Sequence, residues 1–280
     1  MNKDKSILIT GSSSGIGRAT AIALDQAGYK VFAGVRNHED AKILKKNLSQ
    51  HSHPVLIDVT SDESVNHALE EIYSVVKNHG LFGLVNNAGV GDFGPVETLD
   101  LNRLRNTYEI NIFGVLRVTQ ASLALLRTAR GRIVNISSVG GVFTPPFAFP
   151  LCSSKYVIES MSHALQEELA PWGIDVITIN PSFITTPSSH KMMEIVNERV
   201  LHFTERQKSL YKDRFLKVLS CFAENEANLG KPPEVVSQII VKAFQAKNPQ
   251  AHYPAGPRAK LLMLMAKFLS QKTLLKLFDK

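Results

Sequence analysis

The chain has 280 residues, 44% of them hydrophobic and 20% charged, which is enough for one large domain with a buried core. Its formal net charge is +7, but no basic stripe interleaved with aromatics runs through it; this argues against a nucleic-acid role and leaves an anionic cofactor or a membrane surface as the counterpart of the charge. Two distant cysteines, Cys152 and Cys221, make no disulfide framework, and "MNKDKSILIT" leaves no room for a signal-peptide core, so a reducing, cytoplasmic setting is expected.

Short β-branched runs alternate with helical patterns along the chain. "SILIT" (6–10) predicts a strand and leads into "GIGRATAIALDQAG", whose apolar residues recur at helical spacing. "KVFAGV" (30–35) predicts a second strand, followed by the charged helix "HEDAKILKKNLSQ". "PVLID" (54–58) is the third, and the helix after it has Ser61 or Asp62 near its cap. "GLVNNAG" (83–89), "GRIVNISS" (131–138) and "IDVITINP" (174–181) follow, separated by one long helix from "LDLNRL" to "LALL" and by "CSSKYVIESMSHALQEELAPWG". Strands separated by helices imply right-handed βαβ units and a doubly wound parallel α/β sheet with helices on both faces. Residues 188–230 are charged and helical and read as an insertion. "PPEVVSQIIVKAFQAKN" (232–248) resumes an amphipathic helix, and "AHYPAG" (251–256) is a last strand. The tail, 257–280, is apolar but broken by lysines, and its runs fall short of the roughly 20 residues a membrane span needs. It reads either as a helix packed on its own domain or a partner subunit, or as a basic amphipathic segment resting on a membrane.

"ITGSSSGIG" (9–17) joins the first strand to the first helix. Its glycines, Gly11, Gly15 and Gly17, permit unusual dihedrals and close approach of the backbone to a pyrophosphate, while the helix N-terminus offers free N–H groups. The spacing, T-G-x-x-x-G-x-G, is followed in order by "DV" (58–59), "NNAG" (86–89), Asn111 in "EINIFG", "ISSVGG" (136–141), "SSK" (153–155) and "PSFITT" (181–186). In these motifs the sequence resembles the short-chain dehydrogenase/reductase family, and its hydroxysteroid and retinol dehydrogenase branch in particular. The resemblance covers nearly the whole chain, and implies a single domain over 1–280 with a seven-stranded parallel sheet carrying NAD(P)(H) at the C-terminal strand edge.

The end of the second strand carries Arg36 and no acid. A guanidinium pairs bidentately with phosphate, so NADP(H) is expected in preference to NAD(H), with Ser12 adding a hydroxyl. The resemblance implies further cofactor contacts: Ser14 and Ile16 in the glycine turn, Asp58 and Val59 at the adenine, and Asn87, Ala88 and Gly89 beneath the adenosine ribose. Pro181, Ile184 and Thr186 would line the nicotinamide end. Ser182 stands where the family usually has glycine. No metal site is expected.

The family's catalytic set is a serine, a tyrosine, a lysine four residues later and an asparagine. Ser138, Lys155 and Asn111 match it. Counted from either Ser138 or Lys155, the tyrosine position is 151, and the residue there is Leu151. Leucine donates no proton. Tyr156, five positions on, lies on another part of the helix. Three readings stand open: an enzyme with another proton donor (a water between Ser138 and Lys155, or a lid residue such as His190 or Tyr211), an NADP(H)-binding regulatory or interaction protein, or an inactivated variant of an ordinary enzyme.

Segment 188–230 occupies the position of the family's substrate lid. Val142, Phe143, Phe147, Phe149, Met192 and Met193 are candidates for a pocket that takes a small apolar alcohol or carbonyl compound, steroid-, retinoid- or lipid-like. The resemblance also implies a homodimer or homotetramer. Peripheral membrane contact through the tail is the alternative to a wholly cytoplasmic protein.

Overall fold

A seven-stranded, all-parallel sheet of order β3-β2-β1-β4-β5-β6-β7 organises residues 5–278, which this computed structural model describes. The strands are β1 (Ser6–Ile9), β2 (Lys30–Val35), β3 (His53–Leu56), β4 (Gly83–Asn86), β5 (Arg132–Ile136), β6 (Asp175–Pro181) and β7 (His252–Ala255). The helices are α1 (Gly15–Gln26), α2 (His38–Lys45), α3 (Asp62–Val76), α4 (Leu101–Tyr108), α5 (Gly114–Ala129), α6 (Phe149–Leu169), α7 (Pro187–His190), α8 (Met192–Leu201), α9 (Glu205–Leu229), α10 (Glu234–Gln245), α11 (Ala259–Phe268) and α12 (Gln271–Phe278). The order reverses direction between β1 and β4, and such a switch point opens a crevice at the carboxyl ends of the strands.

Both faces of the sheet are covered, which is why its strands read as continuous apolar runs. On one face Ile7, Ile9 and Val134 pack with Leu24 of α1 and Val236, Ile240 and Phe244 of α10. On the other, Leu8, Leu84 and Ile133 pack with Val65 and Ile72 of α3 and Val118 and Leu126 of α5. A third cluster lies under the lid, where Met192, Val196, Phe203, Phe215 and Leu219 join α8 to α9. A polar row crosses the middle of the sheet. Asn86 Nδ2 donates to Asn135 Oδ1 at 2.8 Å, and Asn135 Nδ2 donates to Ser162 Oγ at 2.8 Å.

Local signals set most boundaries. Ser61 Oγ accepts from Ser64 N at 3.2 Å and starts α3, and Thr204 with Gln207 forms a capping box that starts α9. The long helix after residue 100 departs from expectation: a π turn, Glu109–Phe113, divides it into α4 and α5. There the buried Asn111 side chain reaches out of the helix to Val90, a local bulge of the kind found at functional sites. The third strand ends at Leu56 rather than 58, because Asp58 turns to accept from Thr60 N at 2.9 Å. The insertion forms α7, α8 and α9, and the tail forms two short helices, α11 and α12.

Candidate active site

The carboxyl ends of β1 to β6 open into one cleft of about 970 Å³. The glycine turn forms its floor at one end. Gly11 and Gly15 have φ of 68° and 55°, values that an L side chain rarely adopts. A Cβ on Gly17 would lie 2.2 Å from Gly11 O, and one on Gly11 would lie 2.8 Å from Ala88 Cα. This turn therefore admits no side chain at those positions. The helix that follows has no side-chain cap bond at Ser14 and no acid in its first turn, so its free N–H groups and positive dipole end are left for an anion.

Ser12 departs from expectation. It is fully buried, its hydroxyl donates to Ile9 O at 3.2 Å, and its N–H donates to Gly34 O at 2.7 Å. It ties the turn to the sheet and does not line the cleft. Ser13 and Ser14 do, and both are exposed. Three consecutive serines carry no sequence signal that separates them; only the turn geometry does.

Arg36 is exposed at the cleft edge, facing Asp58 and Val59. Bonds from the Thr60 backbone and hydroxyl, and the nearby Arg36 and Arg117 charges, hold the Asp58 carboxyl below its ordinary range, against the opposing effect of burial. Asn87 donates to Thr10 O at 3.0 Å and to Gly11 O at 2.9 Å, pinning the β4 end to the glycine turn. Ile16, Ala88, Gly89, Pro181, Ile184 and Thr186 all line the same cleft. Gly17 lies buried beneath it.

Ser138, Leu151 and Lys155 line the deeper part together. Ser138 Oγ accepts from Gly140 N at 3.0 Å, which leaves its own O–H to donate. Lys155 Nζ donates to Ile136 O at 2.8 Å. Burial pushes its pKa down to about 8, with Glu159 opposing the shift. Leu151 lies one helical turn before Lys155 and presents an apolar wall. The neighbouring Cys152 thiol also lines the cleft, and burial pushes its pKa up to about 12, so it is neither a ready acid nor a thiolate at neutral pH.

The Asn111 side chain does not line the cleft. Its Oδ1 accepts from Val90 N at 2.8 Å, and its Nδ2 donates to Val90 O at 2.9 Å and to Ser154 Oγ at 3.0 Å. These bonds hold the amide in place. It clamps the β4 loop to α6. Tyr156 is 42% exposed and turned away from the cleft. Tyr211 donates to Glu97 Oε2 at 2.5 Å, and neither it nor the exposed His190 reaches the cleft wall.

Of the six apolar pocket candidates Val142, Phe143, Phe147, Phe149, Met192 and Met193, only Phe143 and Met192 line the cleft. Phe147 has φ 68° and turns its ring into the lid, 5.2 Å from the Phe215 ring centre. Met193 packs in the same lid cluster, Val142 is half-buried outside the lining, and Phe149 is an exposed first residue of α6. Phe143, Ile195 and Phe222 form the apolar wall, with Leu262 of α11. The lid is tied down by a buried ion pair, Arg199 to Asp92 at 2.5 Å, whose side chains are 5% and 7% exposed.

The sequence profile of the short chain dehydrogenase family matches residues 5–196. The chain is 35% identical over 267 residues to the NADPH-dependent 3-dehydrocapnine reductase of Ornithobacterium rhinotracheale, covering 94% of this chain and 91% of that protein. It is likewise 35% identical over 271 residues to human retinol dehydrogenase 5, covering 94% and 84%. Its fold is similar to a short-chain dehydrogenase from Streptomyces avermitilis, with a TM-score of 0.79 and 24% identity over 98% of this chain and 96% of that one.

Proposed function

The chain belongs to the short chain dehydrogenase family, and from that premise we propose that it is an NADP(H)-dependent oxidoreductase acting on an apolar alcohol or carbonyl compound. The observation that carries this reading is one continuous cleft bearing the glycine turn and Arg36 at one end, Ser138 and Lys155 deeper in, and an apolar lid wall. The site fits the cofactor: a turn that excludes side chains, an uncapped helix N-terminus, and the exposed Ser13, Ser14 and Arg36 placed for phosphate. An NADPH-named relative adds support.

Bound NADPH supplies the hydride for carbonyl reduction. The chain's part is to orient the carbonyl and deliver a proton to its oxygen. Ser138 donates to that oxygen, its own lone pair being held by Gly140 N. Leu151 offers packing but no proton, so the proton comes from the Lys155 ammonium through a water between Lys155 and Ser138. A group whose pKa is near 8 is matched to this task at neutral pH. Asn111 and Ser12 act behind the cleft and Asn87 on its wall, holding the loops that shape it. The second reading, NADP(H) binding without turnover, rests on Leu151 itself.

In the same reading the protein is a homodimer or homotetramer, cytoplasmic or held at a membrane by its tail. The face of α11 bearing Leu261, Leu264 and Phe268 is exposed between lysines, which supports peripheral contact. The test of the main proposal is a fluorescence titration with NADPH and NADH, run beside an NADPH-oxidation screen over retinoid, steroid and small polar carbonyl compounds. NADPH binds the tighter of the two cofactors, and Arg36→Asp reverses the order. An unchanged ratio in Arg36→Asp sinks the cofactor assignment, and preference for small polar ketones sinks the substrate class.

A further inference from the structure

A cluster of side chains lies outside the cleft, between α6 and the edge strand β7. Glu159 and His163 stand four residues apart on α6 and so share a face. His252 opens β7. One ligand-capable atom from each of the three lies within 4.8 Å of the other two. The two imidazoles meet edge to face, with their Nε2 atoms 3.3 Å apart. None of the three lines the cleft.

We propose that Glu159, His163 and His252 form a binding site for a borderline divalent cation of the zinc class. The separation of the imidazole nitrogens suits such an ion: with Zn–N bonds of 2.0–2.1 Å, the edge of a tetrahedron is roughly 3.3 Å. The orientation of His252 suits it as well. Its Nδ1 lies 2.7 Å from Thr178 Oγ1, whose hydroxyl can in turn donate to Asn180 Oδ1 at 3.5 Å. With the proton on Nδ1 directed at Thr178, the Nε2 lone pair faces His163, and such an outer partner fixes the tautomer of a metal-ligating histidine. The carboxylate is buried and oriented too, since Glu159 Oε1 accepts from Asn180 Nδ2 at 2.6 Å. His163 is exposed and free to rotate the remaining distance, leaving the fourth position to water. Imidazole and carboxylate ligands without thiolate select zinc, nickel or copper over magnesium or calcium. The bound ion would pin the edge strand of the sheet to the helix that carries Leu151 and Lys155.

The test is a titration of the full, chelator-treated chain with Zn²⁺, and separately with Co²⁺ followed by absorption. The wild type takes up one equivalent of Zn²⁺ and melts at a higher temperature with it. Its Co²⁺ spectrum shows ligand-field bands with no thiolate charge-transfer band. His163→Ala, a change at an exposed position, weakens binding at least about tenfold and abolishes the melting shift. Glu159→Gln, which keeps an acceptor for Asn180, weakens it as well. The proposal is overturned if the wild type binds no equivalent, or if His163→Ala binds as tightly as the wild type. A thiolate band that vanishes in Cys221→Ser also overturns it, by moving the ion to the exposed Cys221.

Discussion

On the proposed function, Leu151 is the residue on which turnover hangs. It shares the cleft wall with Ser138 and Lys155, so a phenol at 151 would stand between a hydroxyl donor and a cation, and the cation would favour the phenolate. Leu151→Tyr is expected to raise kcat/KM for NADPH-dependent reduction by about two orders of magnitude, the scale of a general acid, with NADPH affinity little changed. Steady-state kinetics and a binding titration on both proteins decide it; equal, high activity in both would show that Leu151 imposes no deficit. In the proposed mechanism the unaltered chain takes its proton from Lys155. Its pKa is pushed down to about 8 by burial, so its protonated form is lost as pH rises through that value. Reduction needs that form and is expected to fall above about pH 8, while oxidation of the alcohol needs the neutral amine and rises. A pH profile of reduction that stays flat to pH 10 would remove Lys155 as the proton source. At this scale the sequence was only partly legible. The motif positions identify Ser138 and Lys155, and both line the cleft. They did not separate Ser12 from Ser13, because the direction of each hydroxyl is set by turn dihedrals rather than residue type.

Among the elements, the helical insertion is the part whose existence was plain and whose contacts were not. A charged, helical insertion at 188–230 is visible in the sequence, and α8 and α9 lie there. That Met192 reaches both the cleft and the lid cluster while Met193 and Phe147 reach only the cluster depends on helix phase and on a positive φ, neither of which adjacent apolar letters reveal. The pairing of Asp92 with Arg199 spans 107 residues and leaves no local trace. It makes a firm prediction. Arg199→Ala leaves a buried carboxylate without its countercharge, and such losses cost about 3–5 kcal/mol. Urea denaturation should record that loss, and limited proteolysis should cut α8 or α9 sooner. The double change Asp92→Leu with Arg199→Met should recover most of it, since apolar replacement of a buried pair is often neutral or better. A single variant as stable as the wild type would mean that the pair does not hold the lid.

For the whole molecule, alternating strands and helices sufficed to foresee the parallel sheet and its two covered faces, because periodicity and turn residues report directly on βαβ units. Strand ends and the π turn escaped, since they follow from side-chain bonds across the fold. The tail kept two readings open: Leu262 of α11 lines one side of the cleft, as a helix packed on its own domain would, while Leu261, Leu264 and Phe268 face outward beside Lys260 and Lys267, the feature on which the membrane reading is to be tested. The molecule, with its net charge of +7, should therefore bind vesicles containing phosphatidylserine, and replacing Leu261, Leu264 and Phe268 by serine should release it. Vesicle flotation at low and at high salt measures this. Retention of the triple variant would assign the contact to bulk charge, and absence of wild-type binding would leave the tail as a packing element.

The polar row inside the sheet has a bearing on how the chain avoids wrong structures as it folds. Strands buried on both faces, such as "GLVN" (83–86) and "RIVN" (132–135) with Leu84, Val85, Ile133 and Val134, gain nearly the same burial if they pair one residue out of step. Apolar contact alone does not tell the right alignment from its neighbours. Asn86 opposite Asn135, with Ser162 beyond, does. A slip by one residue would strand these amides in the interior, at about 1–3 kcal/mol for each unmade bond. The asparagines thus act as a checksum on strand alignment, rejecting misregistered intermediates that hydrophobic collapse would tolerate.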